Sequence, residues 1–291
     1  MRGDSAWVDV EVGDLNMDAR PEVRLSNHRL SATFAPACGG HMYELDLRTN
    51  AVNLLATLNR RPEPYHQRIL DYVASAGIAS GDELAAISRD VRFRQPNLDQ
   101  RIQYDRWPRK SLVDHFFRPQ LSLAEFQRGE GLIGDFATGE WEAGVRKGER
   151  RILLEMHRNG RAGELTGEVR KTVAISADRP SELLVQYELL GFPAGMPLHF
   201  GVELNFAAMP GGAADRYFYD EEGSRRGTLD TVQNLPSGER LSLVDEWLGV
   251  DVSVESSVRA GFWAYPLETI SQSEDGFEAI HQSVCVVPHW E

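Results

Sequence analysis

Along most of the chain, apolar and polar residues alternate with a period of two, the signature of strands that bury one face. EVRL (22–25) and LSATF (30–34) flank a Ser-Asn-His turn, and HMYELDL (41–47) follows Gly39 and Gly40. In HMYELDL the pattern puts Tyr43, Leu45 and Leu47 on one face, with His41, Glu44 and Asp46 on the other or at its edge. RRILLEMHRNG (150–160) reads as a strand running into a turn, and EVRKTVAIS (168–176) places Val169, Val173 and Ile175 together. ELLVQYELLG (182–191) is apolar enough to be buried on both sides, while HFGVELNF (199–206) and VDVSVES (250–256) alternate cleanly. FEAIHQSVCVVPHW (277–290) reads as a long final strand ending at Pro288. Turn signals such as RNGRAG, FPAGMP, MPGGAAD and LPSGE separate these runs. The fold class expected is mainly β: one large antiparallel sandwich, of a kind that can exceed 200 residues as a single domain.

The period changes between Pro64 and Arg92. Tyr65, Ile69, Tyr72 and Val73 fall at the spacing of an amphipathic helix, and Pro64 suits a first helical turn. A second helix is expected from Ser80, which has capping-box spacing to Glu83, with Leu84, Ile87 and Val91 on its apolar face. A helical hairpin near 64–92 is therefore inserted in the β framework.

Composition narrows the function classes. The chain has 291 residues, 42% of them hydrophobic and 26% charged, and a formal net charge of −13. That charge repels phosphate backbones, so neither nucleic acid nor an anionic membrane is an expected partner. The N-terminal stretch has no secretory leader pattern, and no run reaches the length of a membrane span, which points to the cytoplasm. Cys38 and Cys285 form no CxxC motif; they read as two reduced core thiols, the alternative being a single bridge between the two ends. Motifs for a phosphate loop, a zinc protease and a serine-hydrolase elbow are missing.

Three polar clusters carry candidate chemistry. In TLNRRPEPYHQR (57–68), Arg60, Arg61, Glu63 and His66 sit where strand gives way to helix, stiffened by Pro62 and Pro64. This is either a ligand-binding edge or a salt-bridged turn. In DRWPRKSLVDHFF (105–117), Trp107 reads as a stacking platform or as core, and Asp114 and His115, being adjacent on a strand, point to opposite faces. In HFGVELNF, His199, Gly201, Glu203 and Asn205 share one face. That face either binds sugar hydroxyls, with the glycine leaving room for a ligand, or is solvated. No cofactor is implied, although the acidic stretch DRYFYDEEG (215–223) could in principle hold calcium.

Taken in order, GGHMYELDLR, NLLATLNRRPEPYHQRI, RKSLVDHFF, GDF, FGVELNF and SQSEDGFEAIHQSVCVVPHW resemble the C-terminal region of glycoside hydrolase family 57, the α-amylase and 4-α-glucanotransferase group. The matching strings run from about Glu22 to Trp290, with residues 1–21 as a lead-in. The resemblance implies a galactose-mutarotase-like supersandwich that frames a glucan cleft. In that family the catalytic carboxylates sit on a separate (β/α) barrel. No alternation of parallel strands and helices is read here, so no catalytic residue is carried over, and the chain reads as an excised domain or a stand-alone product. The implied partners are an α-glucan or maltooligosaccharide and a family 57 barrel, in cis or in trans. The implied glucan contacts are Arg60, Arg61, Glu63, Tyr65, His66, Arg109, Asp114, His115, Glu203 and Asn205. Two other readings stay open. One is a mutarotase or epimerase using His66, His115 or His199 with Glu203. The other is a purely structural module in which the charged residues of 60–66 are paired internally.

Overall fold

The computed structural model describes residues 6–76, 92–207 and 209–291. The first five strands follow one another as an antiparallel meander: β1 (Val8–Gly13), β2 (Glu22–Asn27), β3 (Leu30–Ala35), β4 (His41–Leu47) and the short β5 (Val52–Asn53). The β2–β3 turn is built by Asn27. Its Oδ1 accepts from the backbone N–H of Arg29 and Leu30, both at 2.8 Å, while its Nδ2 donates to the carbonyls of Ser176 and Pro180. One buried amide thus closes the hairpin and ties it to the next sheet.

That sheet is four-stranded, in the order β10–β9–β8–β7, from β7 (Glu142–Lys147), β8 (Arg151–Ala162), β9 (Leu165–Ser176) and β10 (Leu183–Leu190). The third sheet has seven strands: β6 (Val113–Phe117), β11 (His199–Phe206), β12 (Arg216–Asp220), β13 (Arg225–Thr228), β14 (Gln233–Asp245), β15 (Val250–Ser273) and β16 (Gly276–Trp290). Its order is β13–β12–β14–β15–β16–β11–β6, and every pairing within the three sheets is antiparallel. The main core lies where the sheets face each other. It draws on Leu25 and Phe34, on Leu154 and Val173, and on Phe200, Leu243 and Phe262.

The seven-stranded sheet is covered on its outer face too. Helix α1 (Pro64–Ala76) lays Ile69 on Leu98, Ile270 and Phe277. The short α2 (Leu123–Gln127), closed by a Ser122/Glu125 capping box, presses Phe126 onto Phe117, Trp263 and Tyr265. Every residue of β11 is therefore buried.

The structure departs from the alternation pattern in several places. A bulge between Thr33 and Phe34 sets Met42 opposite Phe34, so Met42 joins Leu45 in the core and Tyr43 turns outward. An extra residue on one side of a ladder reverses the parity beyond it. β10 is an edge strand with Leu184 half exposed, because only one of its flanks has a neighbour. β16 continues past Pro288 to Trp290. Its ladder with β11 skips the stretch opposite Pro288, which has no N–H to donate. The helix expected from Ser80 lies outside the described residues.

Candidate functional site

The outer face of β6 and β11 carries the chemistry. Pairing places His115 opposite Gly201 and Val113 opposite Glu203, and period two sends His115, Glu203 and Asn205 outward. That face is not solvated. The segment 98–110, which has little regular structure, folds over it, and Glu203 and Asn205 have no exposed surface. Gly201 leaves no room for a ligand either, since a Cβ there would lie 2.5 Å from the ring of Phe117.

Glu203 receives two donors on each carboxylate oxygen. Arg109 Nη1 at 2.8 Å and Asn205 Nδ2 at 2.7 Å donate to Oε1; Trp107 Nε1 at 3.1 Å and His115 Nε2 at 2.8 Å donate to Oε2. Burial alone would raise its pKa, but Arg109, His115 and Asn205 more than offset that and hold the carboxyl well below the usual carboxylate range. The network then runs toward the surface. Arg109 Nε donates to Asp105 Oδ1 at 2.8 Å, and Arg60 reaches the same oxygen through Nε at 3.0 Å and Nη2 at 2.6 Å. The backbone N–H of Arg60 donates to Asp105 Oδ2 at 2.7 Å, and its Nη1 donates to Gln103. Burial would raise the Asp105 carboxyl, but the hydrogen bonds and charge of Arg60, with the charge of Arg109, keep it lowered. Charges thus alternate from Glu203 in the core through Arg109 and Asp105 to Arg60.

The turn before α1 is fixed by two rings. Tyr65 OH donates to the carbonyl of Ile270 at 2.9 Å. His66 Nδ1 faces the backbone N–H of Glu63 at 3.3 Å and Tyr104 OH at 3.2 Å, and Nε2 lies 3.4 Å from the Ile270 carbonyl. The Nε2–H tautomer satisfies all three contacts. Arg61 and Glu63 are exposed. Where 103–109 meets this turn a cavity of about 230 Å³ opens, and Arg60, Tyr104, Trp107 and Arg109 are among its walls.

Of the ten residues expected at a site, the structure brings together Arg60, Arg109, His115, Glu203 and Asn205 in one network, with Tyr65 and His66 bracing the adjoining turn. Asp114 is not among them. It faces the inner side, where Lys171 Nζ lies 2.8 Å away and Tyr187 OH donates at 2.7 Å. Lys171 is fully buried, donates also to the Leu112 carbonyl at 3.0 Å and sits 4.6 Å from the centre of the Trp141 ring. The sequence reading passed over Asp105 and Lys171. The signal for Lys171 was there: it falls in the same alternation as Val169 and Val173, which puts a cation in the core. The histidines of the epimerase reading do not converge. His115 alone touches Glu203, both being buried; His66 serves α1; His199 pairs with His289 at 2.9 Å and with Glu291. In 215–223, Asp220 accepts from two turn amides and from Arg226, and Asp215 pairs with Arg216. Among the described residues no three His, Cys, Asp or Glu side chains converge as a metal site requires.

Residues 14–291 match the family model "Alpha-amylase/4-alpha-glucanotransferase, C-terminal". The chain belongs to this α-amylase/4-α-glucanotransferase C-terminal family. Relatives of the family member described here include a 4-α-glucanotransferase of Thermococcus kodakarensis, 30% identical over 277 residues, and an α-amylase of Pyrococcus abyssi, 28% identical over 280 residues. These matches take in 94% and 93% of this chain but 37% of each relative, so the chain spans well under half the length of the curated proteins it matches. Among solved structures, the 4-α-glucanotransferase of Thermococcus litoralis superposes with a TM-score of 0.73 at 22% identity, over 97% of this chain and 39% of that one. A galactose mutarotase-like protein of Clostridium acetobutylicum superposes with a TM-score of 0.57 at 11% identity, over 98% and 89%. Both share the fold, and the expected mainly β, galactose-mutarotase-like class holds.

Proposed function

We propose that residues 1–291 form one non-catalytic accessory domain of an α-1,4-glucan-active amylase or 4-α-glucanotransferase. It supports a family 57 catalytic barrel, in cis or in trans, and contacts maltooligosaccharide at the edge of the cleft. The observation that carries this reading is the family match over nearly the whole chain. The site agrees with it. Glu203, which lies beside His115 on the outer face, is sealed and clamped by four donors, which suits a scaffold and not a proton-transfer centre. Arg61 and Glu63 are the side chains of the turn that face solvent, and we assign them the direct glucan contacts. Arg60, Tyr65, His66, Arg109, His115, Glu203 and Asn205 hold that edge in shape, and Asp114 acts at a distance by joining two sheets. No described helix is long and apolar enough to cross a membrane, and we place the protein in the cytoplasm, with no nucleic acid among its partners.

Calorimetric titration with maltooligosaccharide tests the assignment. A shallow polar edge gives a Kd of about 1 mM, or roughly 4 kcal/mol. The Arg61→Ala/Glu63→Ala variant is expected to abolish the heat while leaving the thermal midpoint unchanged. Undiminished heat in that variant moves the contact elsewhere; no heat from wild type at 10-fold higher sugar, about 10 mM, leaves the domain a scaffold only.

A further inference from the structure

The cavity beside the Arg60 turn has a chemistry unlike the rest of the molecule. The chain carries a net charge of −13. Yet four of the cavity's lining side chains are arginines, Arg60, Arg106, Arg109 and Arg128, two are glutamines, and none is a carboxylate. Two of the acids nearby are spent behind the wall: Asp105 is only 1% exposed, and Glu203 is fully buried. Those two anions balance Arg60 and Arg109, so Arg106 is surplus charge. It makes no hydrogen bond or ion pair among the described residues. Arg109, whose side chain is 8% exposed, uses Nε and Nη1 internally, and its Nη2 has no hydrogen-bond partner among the described residues. Among the described residues the Arg128 side chain hydrogen-bonds to Glu130 alone, through Nε and Nη2 at 2.8 Å each, and both side chains are about half exposed, so a second anion can reach the guanidinium from solvent.

The walls are therefore rich in donors and poor in acceptors. Gln103 Oε1 already accepts from Arg60. Sugar hydroxyls need acceptors as well as donors, and a neutral glucan would find few here. A phosphate offers acceptors alone and suits the guanidinium fork. Size points the same way. The volume of about 230 Å³ falls below the roughly 300–1,000 Å³ of pockets for drug-sized ligands, so the occupant is small. At the rim, Tyr104 stacks one ring face on His66 and is 44% exposed, which leaves an aromatic surface for a sugar ring.

We infer that this cavity is a binding site for a small phosphate-bearing ligand, a free phosphate or a monosaccharide phosphate ester, held by Arg106 and Arg128 at its mouth and by Arg109 at its floor. This ligand is distinct from the neutral glucan assigned to Arg61 and Glu63.

Calorimetry on the full chain with inorganic phosphate, a hexose monophosphate and maltotriose in separate titrations tests the site. Phosphate-bearing probes are expected to bind, more weakly as salt is raised, and Arg106→Ala to lower their affinity by about tenfold, the loss of one charge-assisted contact. Equal binding of both phosphate probes identifies the free anion; tighter binding of the ester identifies the sugar phosphate. Arg106 and Arg128 are exposed, so Arg128→Ala serves as a second variant whose fold is checked by its thermal midpoint. The proposal fails if neither phosphate probe gives heat, or if both variants bind as wild type does. The maltotriose titration reads the glucan assignment separately, so either can fall without the other.

Discussion

Glu203 shows what a buried charge demands. A carboxylate without water is tolerated only when every lone pair is met, and here each oxygen has two donors. Glu203→Gln keeps the shape but turns one acceptor oxygen into a donor facing donors, and it strips Arg109 of its buried counter-charge. A loss of about 3–5 kcal/mol is expected from breaking one partner of a buried pair, read as a lower urea midpoint, against about ±0.5 kcal/mol for a change at exposed Glu63. The pH dependence follows from the lowered pKa of Glu203. With the folded value below the unfolded value of about 4.3, the stabilisation is complete above that pH and is lost as pH falls through the folded value. Wild type should lose stability steadily below about pH 4.3, and Glu203→Gln should lose less over the same range. A parallel decline of the two would show that other carboxylates govern acid unfolding.

At the level of elements, Ile69 is the fully buried apolar anchor of α1. Ile69 is fully buried against Leu98, Ile270 and Phe277, while Val73, one turn further, is 41% exposed. Ile69→Ala is expected to cost about 2–5 kcal/mol and to speed amide exchange through Pro64–Ala76, whereas Val73→Ala should stay within about 0.5 kcal/mol. Equal effects would mean that the helix is not held by its apolar stripe. The same residues show what the sequence made legible. The stripe through Tyr65 and Ile69 could be read because a surface helix buries one side with period 3.6. The alternation of β11 could be read too, down to which residues share a face with Glu203. What covers that face could not. Arg109 meets Glu203 across 94 residues of chain, and the segment that delivers it has no periodicity to read. Parity also fails where a ladder slips, as at Tyr43, and apolar content misleads at an edge, as in β10. The candidate residues could be singled out from the sequence, but what each one touches depends on burial: Glu203 looks like a ligand's acid in the sequence and is paired with Arg109 in the fold.

At the scale of the whole molecule, polar ties join the three sheets. Lys171 and Asp114 link the four-stranded sheet to the seven-stranded one across the core, and Lys147 reaches Asp9 of the first sheet at 2.8 Å. Burial lowers the Lys171 pKa, with Asp114 opposing it, as expected of a structural cation with no water. The outer face is closed by α1, α2 and 98–110, so polar surface near the turn before α1 is left at the rim around Arg61, Glu63 and the arginine-lined cavity. On the proposed reading, such a domain contacts a sugar without transforming it. Proton NMR of maltoheptaose mixed with the purified chain tests that claim most directly. The account predicts saturation transfer from protein to sugar, with no new reducing ends and no acceleration of anomer exchange. Turnover of the sugar or faster anomer exchange by the isolated chain would contradict it.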